Sequence, residues 1–181
     1  YAPHLTFAAM RAFLAGSALV VLGVMLGRPW PRGKRVWFGI VGIGIGATSL
    51  GFLGMFMASE FVSPGLATVL ANTQPLMAAA VAIAMLGERL GGRGKAGLTL
   101  GFVGIVLIAA PQLQGPAGGA FGLGTAYIFL AALGITISNV LIRALAGRVD
   151  AIIAMGSQML IGGVPLLLGA FLYEDPMSVT I

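Results

Sequence analysis

The sequence predicts an all-α membrane protein with six transmembrane helices, and its composition and charge distribution are the main observations behind this. Of its 181 residues, 59% are hydrophobic and only 8% are charged, and the mean hydropathy is +1.04. A soluble domain has about 25% charged residues, which keep its surface in contact with water. The few charges are also clustered, so that long stretches between them have none. Most of this chain therefore lies in lipid.

The uncharged stretches have the length of membrane-spanning helices, since about 20 apolar residues cross about 30 Å of hydrocarbon. They must be helical because unpaired backbone polar groups are costly in lipid, and a β-barrel would require alternating apolar and polar positions. Pro111 is predicted to end the fourth span. The six predicted spans are Leu5–Leu26, Val36–Met57, Leu66–Leu86, Ala96–Ala110, Gly122–Leu141 and Ala151–Leu172.

The residue types argue against an enzyme, and neither a cofactor nor a metal site is expected. There is no cysteine, the only histidine is His4, and no predicted span contains a pair of carboxylates. General acid–base catalysis and metal binding both need such groups within reach of each other. The net charge of +5 does not indicate nucleic acid, because the sequence lacks the basic and aromatic stripe typical of that function.

Basic and non-basic loops alternate along the chain, which orients the predicted bundle. Loops 27–35, 87–95 and 143–150 contain arginines and lysines, whereas the loops between them are neutral or acidic. The positive-inside rule places the basic loops in the cytoplasm and the Tyr1 end outside. We therefore expect a multi-pass protein of a bacterial inner membrane. Because Tyr1 and Ile181 both lie outside in this arrangement, the chain is expected to be a fragment of a longer protein.

A faint internal repeat is consistent with a duplicated design. Phe13–Leu26 aligns with Met159–Leu172 at five leucine and glycine positions, and the two segments would cross the membrane in opposite directions. Inverted repeats are common in secondary transporters, although apolar helices produce such matches by chance.

Pro75 and the polar residues before it interrupt the third predicted span. Proline removes one helical hydrogen bond and leaves the carbonyl of Ala71 without its partner, and the polar side chains of Asn72, Thr73 and Gln74 lie beside this break. The functional interpretation is a cavity in which these side chains meet a solute. The alternative is a kinked helix whose amides bond to neighbouring helices.

Two charged residues are considered for a charge role. Arg11 lies about two turns inside the first span, where it would attract an anionic solute group, lie at the interface, or pair structurally. Glu88 lies at the inner end of the third span, where it would take part in proton coupling or only anchor the loop.

Several small or polar residues lie on other predicted spans. Thr48 and Asn139 are weaker candidates for the solute pathway, because hydroxyls and amides also bond within their own helices. Gly42 and Gly46, and likewise Gly97 and Gly101, have the small-xxx-small spacing of closely packed helices.

The chain resembles the EamA-type permeases of the drug/metabolite transporter superfamily. The matching segments are Ala58–Ala67, Gln74–Leu76, Leu86–Leu90 and Gly97–Ile105. Together they describe a helix with a proline in the middle of its span, a Gly-Glu-Arg-Leu sequence at its end, and a glycine-rich helix that follows. Arg11, followed by Ala-Phe-Leu-Ala, is similar to an arginine near the start of this family's second helix.

The resemblance implies ten helices in two inverted five-helix repeats that move small solutes by alternating access. Residues 1–111 would then be a first repeat lacking its first helix, 112–121 an outer linker and 122–181 the start of a second repeat. It also implies that Val36–Met57, the proline-bearing span and Gly122–Leu141 border a central cavity.

The sequence as a whole predicts an integral membrane carrier for small metabolites, such as amino acids or related solutes, that works in efflux. A non-transporting membrane scaffold or assembly subunit is the alternative. The expected partners are a small-molecule solute and membrane lipid, with a homodimer left open and no nucleic acid.

Overall fold

The computed structural model describes residues 4–86, 91–113 and 118–174, which are helical apart from short turns and contain no strand. A segment with wider π-helical turns (Gly44–Leu50) joins α2 directly to α3, so that Lys34–Ser59 forms one rod. The helices are α1 (His4–Met25), α2 (Lys34–Ile43), α3 (Gly51–Ser59), α4 (Pro64–Ala71), α5 (Gln74–Leu86), α6 (Gly92–Leu113), α7 (Gly118–Leu145) and α8 (Ala151–Tyr173).

Four helical stretches of the described chain are long and apolar enough to cross a membrane: His4–Met25, Lys34–Ser59, Gly119–Leu145 and Ala151–Tyr173. They correspond to the first, second, fifth and sixth predicted spans. The third and fourth predicted spans are also helical, as α4–α5 and α6, but they are not among these four. The all-helical membrane fold is thus supported, and six crossings stay a prediction.

The fourth predicted span differs from the structure at its end. Helix α6 continues past Pro111 to Leu113, so the prediction that Pro111 ends this helix is wrong. A proline lacks only the hydrogen bond to the carbonyl four residues earlier. Two residues from the end of a helix, this loss leaves most of the helical hydrogen bonds in place.

Side-chain and glycine caps fix the ends of the two terminal helices. The N–H groups of Leu5 and Thr6 donate to the Glu174 carboxylate (2.7 and 2.8 Å), so that the end of α8 caps the start of α1. Asp150 accepts hydrogen bonds from two N–H groups in the first turn of α8. Gly27 ends α1 with a φ of 63°, a left-handed conformation that glycine adopts without a steric cost.

Helices α1 and α8 pack antiparallel through glycines that allow the backbones to touch. A Cβ atom on Gly16 would lie 3.0 Å from the Gly156 carbonyl oxygen, and a Cβ on Gly156 would lie 2.9 Å from the Gly16 carbonyl oxygen. Buried Leu5 and Leu166 complete this contact near the outer end predicted from the charges. Such close approach replaces the hydrophobic driving force that is missing between helices in lipid.

The rod formed by α2, the π segment and α3 lies against both α7 and α8. A Cβ on Gly46 would lie 2.6 Å from the Gly134 carbonyl oxygen of α7, and a Cβ on Gly44 would lie 2.6 Å from the Gln158 carbonyl oxygen of α8. Ser49 donates a 2.8 Å hydrogen bond to the Gly162 carbonyl oxygen. The π segment therefore lies where this rod contacts its neighbours most closely.

Candidate functional site

The break in the third predicted span lies at Asn72 and Thr73, just before Pro75. The Thr73 hydroxyl donates to the Leu70 carbonyl oxygen at 2.7 Å, and the Asn72 amide nitrogen donates to the Thr68 carbonyl oxygen at 3.0 Å. The two side chains thus satisfy carbonyls at the end of α4. Pro75 is the second residue of α5, and near a helix start the N–H that proline lacks has no intrahelical partner in any case.

The predicted pathway residues at this break differ in their exposure. Asn72 and Pro75 are exposed, Gln74 is half-buried, and Thr73 is buried. Asn72 therefore uses its amide nitrogen on its own helix while its side chain stays accessible. A role for any of these four residues in solute binding stays a prediction.

A cavity of about 400 Å³ lies between α5 and α7, one turn beyond the break. Its described lining combines two small side chains of α5 with a polar face of α7. The lining residues are Ala78, Ala79, Thr136, Asn139, Val140, Ile142 and Arg143. Asn139 thus lies across this cavity from α5, but the described lining does not include the four predicted break residues, and a pathway shared with them stays a prediction.

Thr136 is the most unusual residue of this lining. Its side chain is fully buried, and its hydroxyl has no hydrogen-bond partner within the described part of the protein. Buried polar groups without a partner are rare and costly. Ser138, two residues along, shows the ordinary arrangement, since its hydroxyl donates to the Gly134 carbonyl oxygen at 2.8 Å.

Thr48 lies in a different interface. Its buried hydroxyl donates to the Gln158 side-chain oxygen at 3.0 Å, joining the π segment to α8. This pair lies outside the described lining of the cavity between α5 and α7. The structure therefore separates Thr48 from Asn139, and its place in a pathway stays a prediction.

Of the two residues considered for a charge role, the structure describes only Arg11. The Arg11 guanidinium lies 4.4 Å from the centre of the Phe52 ring, which is a cation–π contact between α1 and α3. A charge role for Arg11 stays a prediction. Glu88 lies outside the described residues.

The four predicted packing glycines differ in how closely other described residues approach them. A Cβ on Gly42 would lie 2.9 Å from the Leu141 Cδ1 atom, and Gly46 contacts α7 as described above. A Cβ on Gly101 would lie 3.3 Å from Leu76, whereas Gly97 has no neighbour within 4 Å among the described residues. A packing role for Gly97 therefore has no support in the described part of the chain.

Sequence reasoning missed Arg143 as a site residue, because its charge assigned it to the loop 143–150. In the structure it lies in the last turn of α7 and lines the cavity with Asn139. The spacing of Thr136, Asn139 and Arg143 places all three on one helical face, and this is the signal that could have identified Arg143. No group of three metal-ligating side chains occurs in the described ranges.

These features define a polytopic helical membrane protein with a polar cavity between two helices. The model of the EamA-like transporter family matches residues 1–110, and the chain belongs to this family, which comprises transporters and not enzymes.

Two curated relatives extend the similarity over nearly the whole chain. A chloroplastic WAT1-related protein of Arabidopsis thaliana is 36% identical over 174 residues, covering 94% of this chain and 41% of the relative. An uncharacterized transporter of Synechocystis is 32% identical over 183 residues, covering 93% of this chain and 55% of the relative. The chain thus spans about half the length of these relatives, and no solved structure is significantly similar to it.

Proposed function

We propose that this chain is part of a membrane carrier that moves small metabolites, amino acids or related solutes, by alternating access and in the direction of export. The observation that supports this most directly is the polar cavity between α5 and α7 beside a broken helix. A broken helix is tolerated at membrane depth where it lines a cavity or is buried in protein, and transporters use such helices at their solute sites.

The proposed pathway includes Asn72, Thr73, Gln74 and Pro75 at the break, with Asn139 across the cavity. Thr48 would contribute from the adjoining interface between the π segment and α8. The break gives α4 and α5 a point about which they can tilt separately, and hinges of this kind allow a carrier to alternate between two states.

We propose the larger architecture by analogy with the family: six spans in this chain, within a ten-helix protein of two inverted repeats. The antiparallel packing of α1 and α8 is consistent with two equivalent helices of such a repeat. Residues 1–111 would belong to the first repeat, 112–121 to the linker and 122–181 to the second.

The proposed location is a bacterial inner membrane with the basic loops in the cytoplasm. Arg28 of loop 27–35 forms a 3.7 Å ion pair with Asp150 of loop 143–150, which supports two of the basic loops lying at the same end of the bundle.

Accessibility of single cysteines tests the carrier against a non-transporting scaffold. The chain has no cysteine of its own, so Asn72→Cys, Ala78→Cys and Asn139→Cys can be labelled one at a time in the full-length protein, stripped of any other cysteine. A carrier predicts labelling of all three by a membrane-impermeant reagent. Leu107→Cys on the exposed apolar face of α6 is the control, and it should stay unlabelled. A scaffold without a wet cavity would leave the three pathway positions unlabelled as well.

Solute flux tests the pathway residues themselves. Asn72→Ala and Gln74→Ala in the full-length protein should lower flux in reconstituted vesicles about fivefold or more while membrane insertion stays normal. Each removes a side chain that can hydrogen-bond a solute, a loss that typically costs about 1 to 3 kcal/mol where the solute group is left unpaired. Unchanged flux in both variants would contradict the assignment of these residues.

A further inference from the structure

One face of α7 forms a polar stripe that consists of Thr136, Asn139 and Arg143. These residues follow one another at intervals of three and four, which places them in a row on the same side of a helix. All three line the cavity opposite Ala78 and Ala79 of α5. Because alanine side chains are small, α5 leaves space in front of the stripe and does not fill it.

The buried end of the stripe has unused hydrogen-bonding capacity. Thr136 is 0% exposed, and its hydroxyl is unpaired within the described residues. A helical threonine ordinarily donates to the carbonyl four residues earlier, as Ser138 does with Gly134. The Thr136 hydroxyl has no such partner among the described residues, and because it is fully buried, a solute would reach it from the cavity only when α5 and α7 move apart.

The other end of the stripe is a guanidinium with no ion pair in the described part of the chain. The described carboxylates are engaged or distant: Asp150 pairs with Arg28 and caps α8, and Glu174 caps α1. Glu60 ends α3, toward the start of α1. Arginine presents a planar fork of donors that matches a carboxylate or a phosphate with two parallel hydrogen bonds.

We propose that this stripe binds the anionic end of a small organic solute at Arg143 and its hydroxyl or amide groups at Asn139 and Thr136. This inference rests on the proposed carrier function and narrows its substrate class. A carboxylate or phosphate group matches the Arg143 guanidinium, and hydroxyl groups match the hydrogen-bonding side chains of Asn139 and Thr136, so a hydroxylated organic acid or a phosphate ester carries both kinds of group. Seven residues of helix separate the two ends by about 10 Å, and a cavity of about 400 Å³ lies within the range of small-molecule sites.

The electrostatic part of the proposal is tested without knowledge of the solute. Asn139→Cys, in the full-length protein without other cysteines, is labelled with two similar methanethiosulfonate reagents, the anionic ethylsulfonate and the cationic ethyltrimethylammonium. A charge about 6 Å away, four residues along the helix, acts with opposite sign on the two reagents. Adding Arg143→Gln should therefore lower the ratio of anionic to cationic labelling rates about tenfold, even at the dielectric constant of water.

Arg148→Gln is the matched control for this measurement. It removes the same charge just beyond the same helix end, but Arg148 lines a different cavity, with Arg35 and Phe38. The labelling ratio should change less than twofold. An equal effect of the two substitutions, or no effect of Arg143→Gln, would overturn the assignment of Arg143 to the site.

The ligand class is tested by protection of Asn139→Cys from a neutral thiol reagent. Gluconate and sorbitol share a six-carbon hydroxylated chain and differ only in the carboxylate, so gluconate should slow labelling and sorbitol should not. Inorganic phosphate is a third arm, and stronger protection by phosphate than by gluconate would assign the headgroup to phosphate. Protection should disappear in Arg143→Gln and persist in Arg148→Gln. The proposal would be overturned if neither gluconate nor phosphate protects the cysteine, or if sorbitol protects it as well as gluconate does.

These outcomes are separable from the fate of the carrier hypothesis. If the protein is not a carrier, flux is absent while the charge effect and the protection at position 139 are still measured. If it is a carrier with a different solute site, flux is present and Arg143→Gln leaves both the labelling ratio and the protection unchanged.

Discussion

At the scale of single residues, some described hydroxyl groups join helices, others such as Thr73 bond within their own segment, and the buried hydroxyls of Thr125 and Thr136 have no partner in the described chain. Thr48 bonds to Gln158, and Ser49 bonds to the Gly162 backbone, so both join the central rod to α8. Thr136 is as deeply buried as these residues but has no partner in the described chain. An unpaired buried hydroxyl costs stability, so replacing it with an apolar group of the same shape should not weaken folding.

Thr136→Val is expected to stabilise the protein in the absence of solute. Valine has nearly the same shape and removes the unpaired hydroxyl, so the free energy of unfolding should rise by about 1 kcal/mol. The control is Ser138→Ala, which removes a hydroxyl bonded to the carbonyl oxygens of Gly134 and Ile43 (2.8 and 3.2 Å) and should lower it by about 1 kcal/mol. Both values can be measured by thermal unfolding in detergent, and destabilisation by Thr136→Val would show that its hydroxyl is satisfied.

The sequence was informative about which residues are polar in the membrane, but not about their partners. Asn139 and the Asn72–Pro75 segment could be singled out because amides and proline are unusual in apolar spans. The contact of Thr48 with Gln158 spans 110 positions, and it depends on how two helices are rotated about their axes. Periodicity does not fix that rotation when a span is apolar on all sides, so the sequence identifies Thr48 as a buried polar candidate without giving its partner.

At the scale of elements, hydrophobic length and charge predict where the helices lie, but they do not predict where a helix widens into π-helical turns. Predicted Leu5–Leu26 and Ala151–Leu172 match α1 (His4–Met25) and α8 (Ala151–Tyr173) within one residue at each end. The sequence predicts a break within Asn72–Pro75, and in the structure the helix is interrupted at Asn72 and Thr73, because proline is tolerated in the first turn of the helix that follows. The π segment lies where Gly44 and Gly46 approach α8 and α7, and these tertiary contacts do not follow from the local sequence.

Gly46 and Gly97 belong to two glycine pairs with the same spacing, but substituting them is expected to change the free energy of unfolding differently. Gly46→Ala should lower the free energy of unfolding by about 1 to 3 kcal/mol, because its Cβ would lie 2.6 Å from the Gly134 carbonyl oxygen. Gly97→Ala should leave it unchanged or raise it by up to about 1 kcal/mol through helix propensity, since no described atom lies within 4 Å of the new Cβ. Denaturation in mixed detergent micelles would compare the two. Equal destabilisation would show that Gly97 also packs closely in the full-length protein.

At the scale of the whole molecule, two polar contacts join the N-terminal helix α1 or its following loop to residues that flank the C-terminal helix α8. At one end of the bundle Arg28 pairs with Asp150, and at the other Glu174 caps the first turn of α1. The antiparallel pair α1–α8 is thereby fixed at both ends, with the Gly16–Gly156 crossing between them. This arrangement places loops 27–35 and 143–150 together, which charge counting alone could only propose.

The orientation of the bundle gives the last prediction. Single cysteines at Arg32, Glu60 and Arg148, all exposed, should react with an impermeant reagent from one side of the membrane only. Arg32→Cys and Arg148→Cys should be labelled from the cytoplasmic side, because basic loops are retained there during insertion, and Glu60→Cys should be labelled from outside. Sided labelling of inverted and right-side-out vesicles measures this directly. If Glu60→Cys and Arg32→Cys react from the same side, the rod Lys34–Ser59 does not cross the membrane, and the alternating orientation of the loops is wrong.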